Sequence, residues 1–181
     1  MVNKILLYCI LLFSCLEGQA QQIELMPKGI RSTETNKDYV LLTFDNMSNK
    51  ELYDNTLIYL NQRFTNPKKV IKFSVENKLI TFKEVEHMKK ITTNDRLRDS
   101  FSKSVSVDIT ISFKDNVVKY EVGNFSFGAL VLLPKNIFKV SIWDKDGVEL
   151  YLPEEKKNIE VFLNELLDDY KSFMLKSNDE W

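Results

Sequence analysis

Residues 104–113 read Ser-Val-Ser-Val-Asp-Ile-Thr-Ile-Ser-Phe, so that Val105, Val107, Ile109, Ile111 and Phe113 alternate without a break against Ser104, Ser106, Asp108, Thr110 and Ser112. Successive side chains of a strand point to opposite faces, so this spacing predicts a strand with one face in a core and the other in water. A sheet wetted on one side only is characteristic of antiparallel pairing. Asp115 and Asn116 follow as the polar pair of a two-residue hairpin loop, since such residues tolerate a left-handed backbone. Val118, Tyr120 and Val122 then resume the apolar face while Lys119 and Glu121 point outward.

Working upstream, Tyr39–Asp45 reads as a first strand, rich in apolar and β-prone residues. Ser48 with Glu51 three residues on makes a capping box, where each side chain satisfies an otherwise unpaired amide of the other residue. A helix should start there, bury Leu52, Tyr53, Thr56, Leu57, Leu60 and Phe64 on one face, and end at Asn66-Pro67. Lys69–Val75 and Leu79–Val85 are read as a hairpin turning at Glu76–Lys78. Downstream, Pro153 opens a long helix to about Leu175. Glu154 and Glu155 complement the positive end of its dipole, and Ile159, Phe162, Leu163, Leu166, Tyr170 and Phe173 form its buried stripe. Between them, 130–152 reads as an insertion with a small hairpin, Lys139–Trp143 and Val148–Tyr151, turned at Asp146-Gly147.

The expected fold is α+β: a two-layer sandwich with an antiparallel sheet of about five strands in the order β-α-β-β-β-β-α, both helices on the apolar face, and a polar opposite face. Residues 21–37 are an N-terminal extension, 38–176 a single domain, and 177–181 a tail. A chain of 181 residues is the right size for one such domain. With 25 Lys and Arg against 26 Asp and Glu, the net charge of -1 excludes a strongly basic nucleic-acid binder. The scarcity of Arg also weighs against bidentate phosphate or guanine recognition.

Residues 1–20 read as a signal peptide. Lys4 supplies the positive start, Ile5–Leu16 is an uncharged apolar run too short to span a bilayer, and small residues at Gly18 and Ala20 place the cut before Gln21. A competing reading takes Leu12-Phe13-Ser14-Cys15 as a lipobox, with Cys15 lipidated and the protein tethered to the envelope. Both cysteines, Cys9 and Cys15, fall in this segment. The remaining chain therefore has no disulfide, thiolate nucleophile or cysteine metal site.

The stretch from Glu51 and Leu52-Tyr53, through Val70-Ile71, to Asp115-Asn116 and Lys119-Tyr120 resembles a family of secreted Bacteroidetes domains of unknown function with a TATA-binding-protein-like (TBP-like) fold. The resemblance covers roughly residues 38–128, and Ala20-Gln21-Gln22 is similar to the signal-peptide ends of that family. It implies the fold and export, and carries no catalytic residues with it. The chain departs from the family in placing Tyr59 where a Trp is usual and in its long segment after Phe127.

His87 is the sole histidine and stands beside Glu84 and Glu86, so a metal or acid–base role would have to be completed by carboxylates alone. Asp144, Asp146 and Gly147 resemble a calcium loop, but the following ligand positions fall on Val148, Glu149 and Glu155, and a hairpin turn accounts for them better. There is no G-x-S-x-G elbow, P-loop or G-x-G-x-x-G, and Gly123 and Gly128 are isolated. The carboxylate pairs Asp168-Asp169 and Glu154-Glu155 are helix neighbours that point apart. Lys68, Lys69, Lys72, Lys78, Lys83, Lys89 and Lys90 are interleaved with Glu76, Glu84 and Glu86, as on a solvated mixed-charge face. The polar 89–103 loop reads as a connection.

The expectation is an exported, non-enzymatic binding or structural module of the periplasm or cell envelope, with no catalytic, cofactor-binding or metal residues. Its partner would be an envelope protein or a glycan, met through the polar sheet face or the Phe125–Trp143 region. No nucleic acid is expected, and a membrane only if Cys15 is lipidated. The alternative is a small hydrolase or metal-dependent enzyme using His87 with Glu84 or Asp95.

Overall fold

The computed structural model of the chain describes residues 22–27, 29–88, 101–133, 136–140, 142–143, 146–148, 150 and 152–179. The expected signal segment and its expected cut, Cys15, and Asp95 with most of its loop lie outside the described residues.

The main sheet is antiparallel. Its strands are β3 (Tyr39–Thr43), β4 (Ile71–Val75), β5 (Leu79–Met88), β6 (Phe101–Lys114), β7 (Val117–Leu133) and β8 (Asn136–Val140), in spatial order β3-β7-β6-β5-β4 with β8 also on β7. β7 is the spine. β6 runs along one of its edges, while β3 pairs with residues 117–121 and β8 with residues 129–133. Helices α1 (Asn49–Arg63) and α3 (Pro153–Asp179) cover one face, and a single turn, α2 (Pro67–Val70), leads into β4.

The decisive alternation holds: Val105, Val107, Ile109 and Ile111 have no exposed surface and Phe113 almost none. The two helices seal this row. Tyr53 of α1 stands edge-on to Phe113 at 5.7 Å, and Tyr170 of α3 lies 6.1 Å from Tyr120. The capping box forms as expected, with the Ser48 hydroxyl accepting from Glu51 N and the Ser48 amide donating to Glu51 Oε2 at 2.8 Å.

The Asp115-Asn116 loop also fastens the start of α1. Asn116 has φ 62, and its side-chain oxygen accepts from Met47 N at 3.1 Å. Its amide donates to Met47 O and its carbonyl accepts from Phe44 N, both at 2.8 Å, while Asp115 Oδ1 accepts from Asn49 N at 2.9 Å. Replacing Asn116 with Ala should cost about 2 kcal/mol, through positive-φ strain and a lost hydrogen bond. Asn116→Gly, free of that strain, should cost about half as much. Urea unfolding of the two variants measures the difference.

Four expectations need correction. The strand expected over Lys69–Val75 starts only at Ile71, because Pro67 occupies the first position of α2, where its fixed φ favours a helical turn and its missing amide costs nothing. The insertion expected over 130–152 is in part sheet: β7 continues to Leu133 and returns as β8, so Lys139 and Val140 belong to that hairpin. The uniform apolar run Ala129–Leu133 hid this, because it has no alternation to read. A remnant of the expected closure survives as a bridge between Trp143 and Leu150 about Gly147, which has φ 72. The long helix continues through most of the expected tail, to Asp179.

The fourth correction is the N-terminal extension, which is a hairpin of β1 (Ile23–Met26) and β2 (Gly29–Ser32). Its Ile23, Leu25 and Ile30 are buried. Asn164 of α3 accepts from Gln22 N at 2.7 Å and Ile23 N at 3.0 Å and donates to Ile23 O at 3.0 Å, and Glu160 Oε1 accepts from Leu25 N at 2.9 Å. Two polar side chains one helical turn apart thus hold the free edge of β1.

Candidate functional site

The face of the sheet turned away from the helices is the larger candidate. Strand register lines up Phe73, Thr81, Thr110, Glu121 and Tyr39 as one row across it. At its centre the Thr81 and Thr110 hydroxyls are 3.0 Å apart. Toward the β3 edge, Lys119 Nζ donates to Glu121 Oε1 at 2.6 Å and lies 4.6 Å from the centre of the Tyr39 ring.

Beside this row two bulges converge on one carboxylate. The β4–β5 pairing slips between Ile71 and Phe73, and the β6–β7 pairing between Ser106 and Asp108. The slips bring Lys72 Nζ to Asp108 Oδ1 and Asn124 Nδ2 to Asp108 Oδ2, the latter at 2.8 Å. A bulge leaves one residue outside the ladder and re-aims its side chain, which is how three strands supply one small network. Burial alone would raise the Asp108 carboxyl, but the bonds from Lys72 and Asn124 outweigh it and hold the group below its usual range. The acids of this face are thus paired within it.

The face is less uniformly polar than its alternation implied. Phe73 is 58% exposed, Leu41 50% and Val85 43%. Phe73 and Leu41 lie on the two edge strands of the ordered path, on either side of the hydroxyl and ion-pair centre.

On the opposite face is an ionic junction that sequence reading missed. Glu84 shares the core-facing side of β5 with Ile80 and Phe82, is paired in register with Val107, and is 6% exposed. Arg63, in the last turn of α1, donates Nε to Glu84 Oε2 at 3.3 Å and Nη2 to Glu84 Oε1 at 3.4 Å, and its Nη1 donates to Asp169 Oδ2 at 2.9 Å. The Tyr59 hydroxyl donates to the same Asp169 oxygen at 3.0 Å. Beside them, Thr56 gives its proton to Leu52 O at 2.7 Å, which leaves its oxygen to accept from the Tyr170 hydroxyl at 2.8 Å. Burial raises Glu84 above the ordinary carboxylate range in spite of Arg63, whose bonds to it are long. Burial also pushes the Tyr59 and Tyr170 hydroxyls up, so both remain neutral donors.

Arg63 and Asp169 carried no motif, and the available clue was the polarity of Glu84 on a side of β5 otherwise occupied by Ile80 and Phe82. The expected stripe on α1 also omitted Tyr59, which is buried against Tyr170 and Phe173 at 5.3 and 5.5 Å.

The sequence-nominated enzyme residues do not come together as proposed. Strand alternation puts His87, exposed, on the open face and Glu84 on the helix face, and Asp95 lies outside the described residues. Asp146 is exposed in its turn, while Asp144 and Glu149 also lie outside the described residues. Asp168 and Asp169 diverge, since Asp169 alone joins the Arg63 junction. Among the described residues no group of three His, Cys, Asp or Glu could hold a metal ion. Among them, too, no helix is long and apolar enough to cross a membrane.

Residues 40–128 match the family described as a domain of unknown function (DUF4468) with TBP-like fold. A crystal structure of a DUF4468 family protein from Bacteroides ovatus is similar, with TM-score 0.52 and 16% identity over 75% of this chain and 84% of that one. A TBP-like protein from Parabacteroides distasonis is similar with TM-score 0.53 and 13% identity over 75% of this chain and 90% of that one. At these identities the likeness is one of fold. No curated protein matches the chain in sequence.

Proposed function

We propose that the chain, whose residues 40–128 match the DUF4468 family with TBP-like fold, is an exported, non-enzymatic binding or structural module of the bacterial periplasm or cell envelope that works through its open sheet face. It meets a protein or glycan through that face. Fold does not carry function, so the reading rests on the site itself. The observation that supports it best is that both helices pack on one side, leaving the other side with exposed Phe73, Leu41 and Val85 around a centre of hydroxyls and internally paired charges. Exposed apolar side chains at the margins of a rigid polar platform provide contact area, and the ordered polar centre provides selectivity. Export rests on the charged, apolar and small-residue order of residues 1–20.

The test uses protein beginning at Gln21, immobilised and exposed to envelope extract and to a glycan array, beside a variant carrying Leu41→Ser, Phe73→Ser and Val85→Ser. Capture by the parent and at least about tenfold weaker capture by the variant is the expected result, because three exposed contacts of modest size are removed. If the parent captures nothing, or the variant captures equally well, the face is not the binding surface. Fractionation and intact mass of the expressed full chain test export separately. A mass beginning at Gln21 supports simple cleavage, a lipidated Cys15 form supports a tether, and an uncut cytoplasmic chain overturns export.

A further inference from the structure

The polar cluster between helices and sheet joins three elements through one side chain. Arg63, at the end of α1, is shared by Glu84 of β5 and Asp169 of α3. Its two attachments are unequal. The bonds to Glu84 are 3.3 and 3.4 Å long and end on a carboxylate whose side chain is 8% exposed, whereas the bond to Asp169 is 2.9 Å and ends on one that is 56% exposed. Besides this ion pair, the end of α1 meets β5 through Phe64, whose ring lies 6.1 Å from that of Phe82.

We propose that Arg63 and its two carboxylates form an acid-released latch: a proton taken up by Glu84 frees the last turn of α1 from β5, while Arg63 stays on Asp169. The charges around Glu84 favour this order of events. From α1 it faces Arg63, the cation, and Tyr59. From α3 it faces Asp169, from β5 Glu86, and from β7 Tyr120. Glu86 and Asp169 repel its charge and burial disfavours it, while the two tyrosines remain neutral throughout the acid range. Asp169 is the more solvated of the two carboxylates and makes the shorter bond to Arg63. Val107, the register partner of Glu84 on β6, brings no charge.

A latch of this kind loosens one turn without loosening the fold. Protonated Glu84 is easier to bury than the ion, so the sheet and core lose nothing when it neutralises. Amide hydrogen exchange on the whole protein at pH 7 and pH 5, corrected for intrinsic chemistry, separates local from global change. The amides of Leu60–Phe64 should exchange at least about fivefold faster at pH 5, while those of 105–111 keep their protection. In Glu84→Gln the same turn should exchange rapidly at both pH values. A turn equally protected at pH 7 and pH 5, an acid response that persists in Glu84→Gln, or loosening that spreads equally into β6 overturns the latch. Should Glu84→Gln fail to fold, the Arg63 Nε–H resonance of the wild type decides. It should move with the titration of the Glu84 carboxyl, and an unmoving resonance overturns the proposal.

Discussion

Arg63→Ala is expected to destabilise the protein at pH 7 by about 3 kcal/mol, because it leaves Glu84 buried and ionised without its cation. The lower end of the range for a broken buried pair applies, since Arg63 is itself 28% exposed and water reaches part of the junction. The loss should shrink on acidification. A carboxyl raised in the folded state binds its proton more tightly there than in the unfolded chain, where its value is near 4.5. Glu84 therefore adds to stability as pH falls through its folded value toward 4.5, and that contribution is lost as pH rises again. Without Arg63 the folded value climbs further, and the acid recovery grows. Arg63→Ala with Glu84→Leu should recover most of the stability at pH 7, since no ion is then left in the core. Urea unfolding at pH 7 and pH 5 measures all three. An Arg63→Ala penalty below about 1 kcal/mol and flat with pH would mean that solvent, not Arg63, supports the carboxylate.

Asn164→Leu is expected to cost about 2–4 kcal/mol, because it orphans two amides and a carbonyl of the first strand at about 1 kcal/mol or more each. The cost should fall on one piece of the structure first. With Gln22 N and Ile23 N deprived of their acceptor, the β1–β2 hairpin loses part of its polar hold from α3, while the Glu160 bond to Leu25 N and the Lys156–Glu24 ion pair remain. Limited proteolysis should then cut the hairpin before the sheet is touched. Asn164→Asp preserves the acceptor and loses the donor to Ile23 O and Glu160 O, so it should cost less than Asn164→Leu. If Asn164→Leu changes stability by less than about 0.5 kcal/mol, water replaces the lost bonds and the clamp is ornamental.

What could be read from the sequence was whatever local periodicity encodes. The alternation at 104–113, the Ser48/Glu51 box and the Asp115-Asn116 loop each announce a local backbone state, and together they place the central strands, both long helices and the side on which the helices lie. Three things were not local. The β1–β2 hairpin is too short to display a pattern, and its role depends on side chains of a helix far along the chain. The end of β7, Ala129–Leu133, is uniformly apolar where periodicity needs contrast, and its partner β8 is only five residues long. Finally, the Glu84–Arg63–Asp169 junction assembles residues from positions 63, 84 and 169, of which Glu84 alone stands out locally, as a polar residue on the apolar side of β5. The open face was legible as a polar row, but Phe73 was not readable as an exposed ring, because the bulge at the start of β4 settles its direction.

The dependence of the opening strand on Asn164 has a consequence for the order of events during synthesis. Ile23 leaves the ribosome first among the buried residues of the described part of the chain, yet the side chain that satisfies its amide is 141 residues behind it. At the usual 5–20 residues per second that is a delay of roughly 7–30 s, during which β1 can pair with β2 but has no helix over it. β5, β6 and β7, joined in sequence, can meanwhile find one another without waiting. The described structure is therefore built from its middle outward, and the final stitch joins the early-made β1 to the late-made α3.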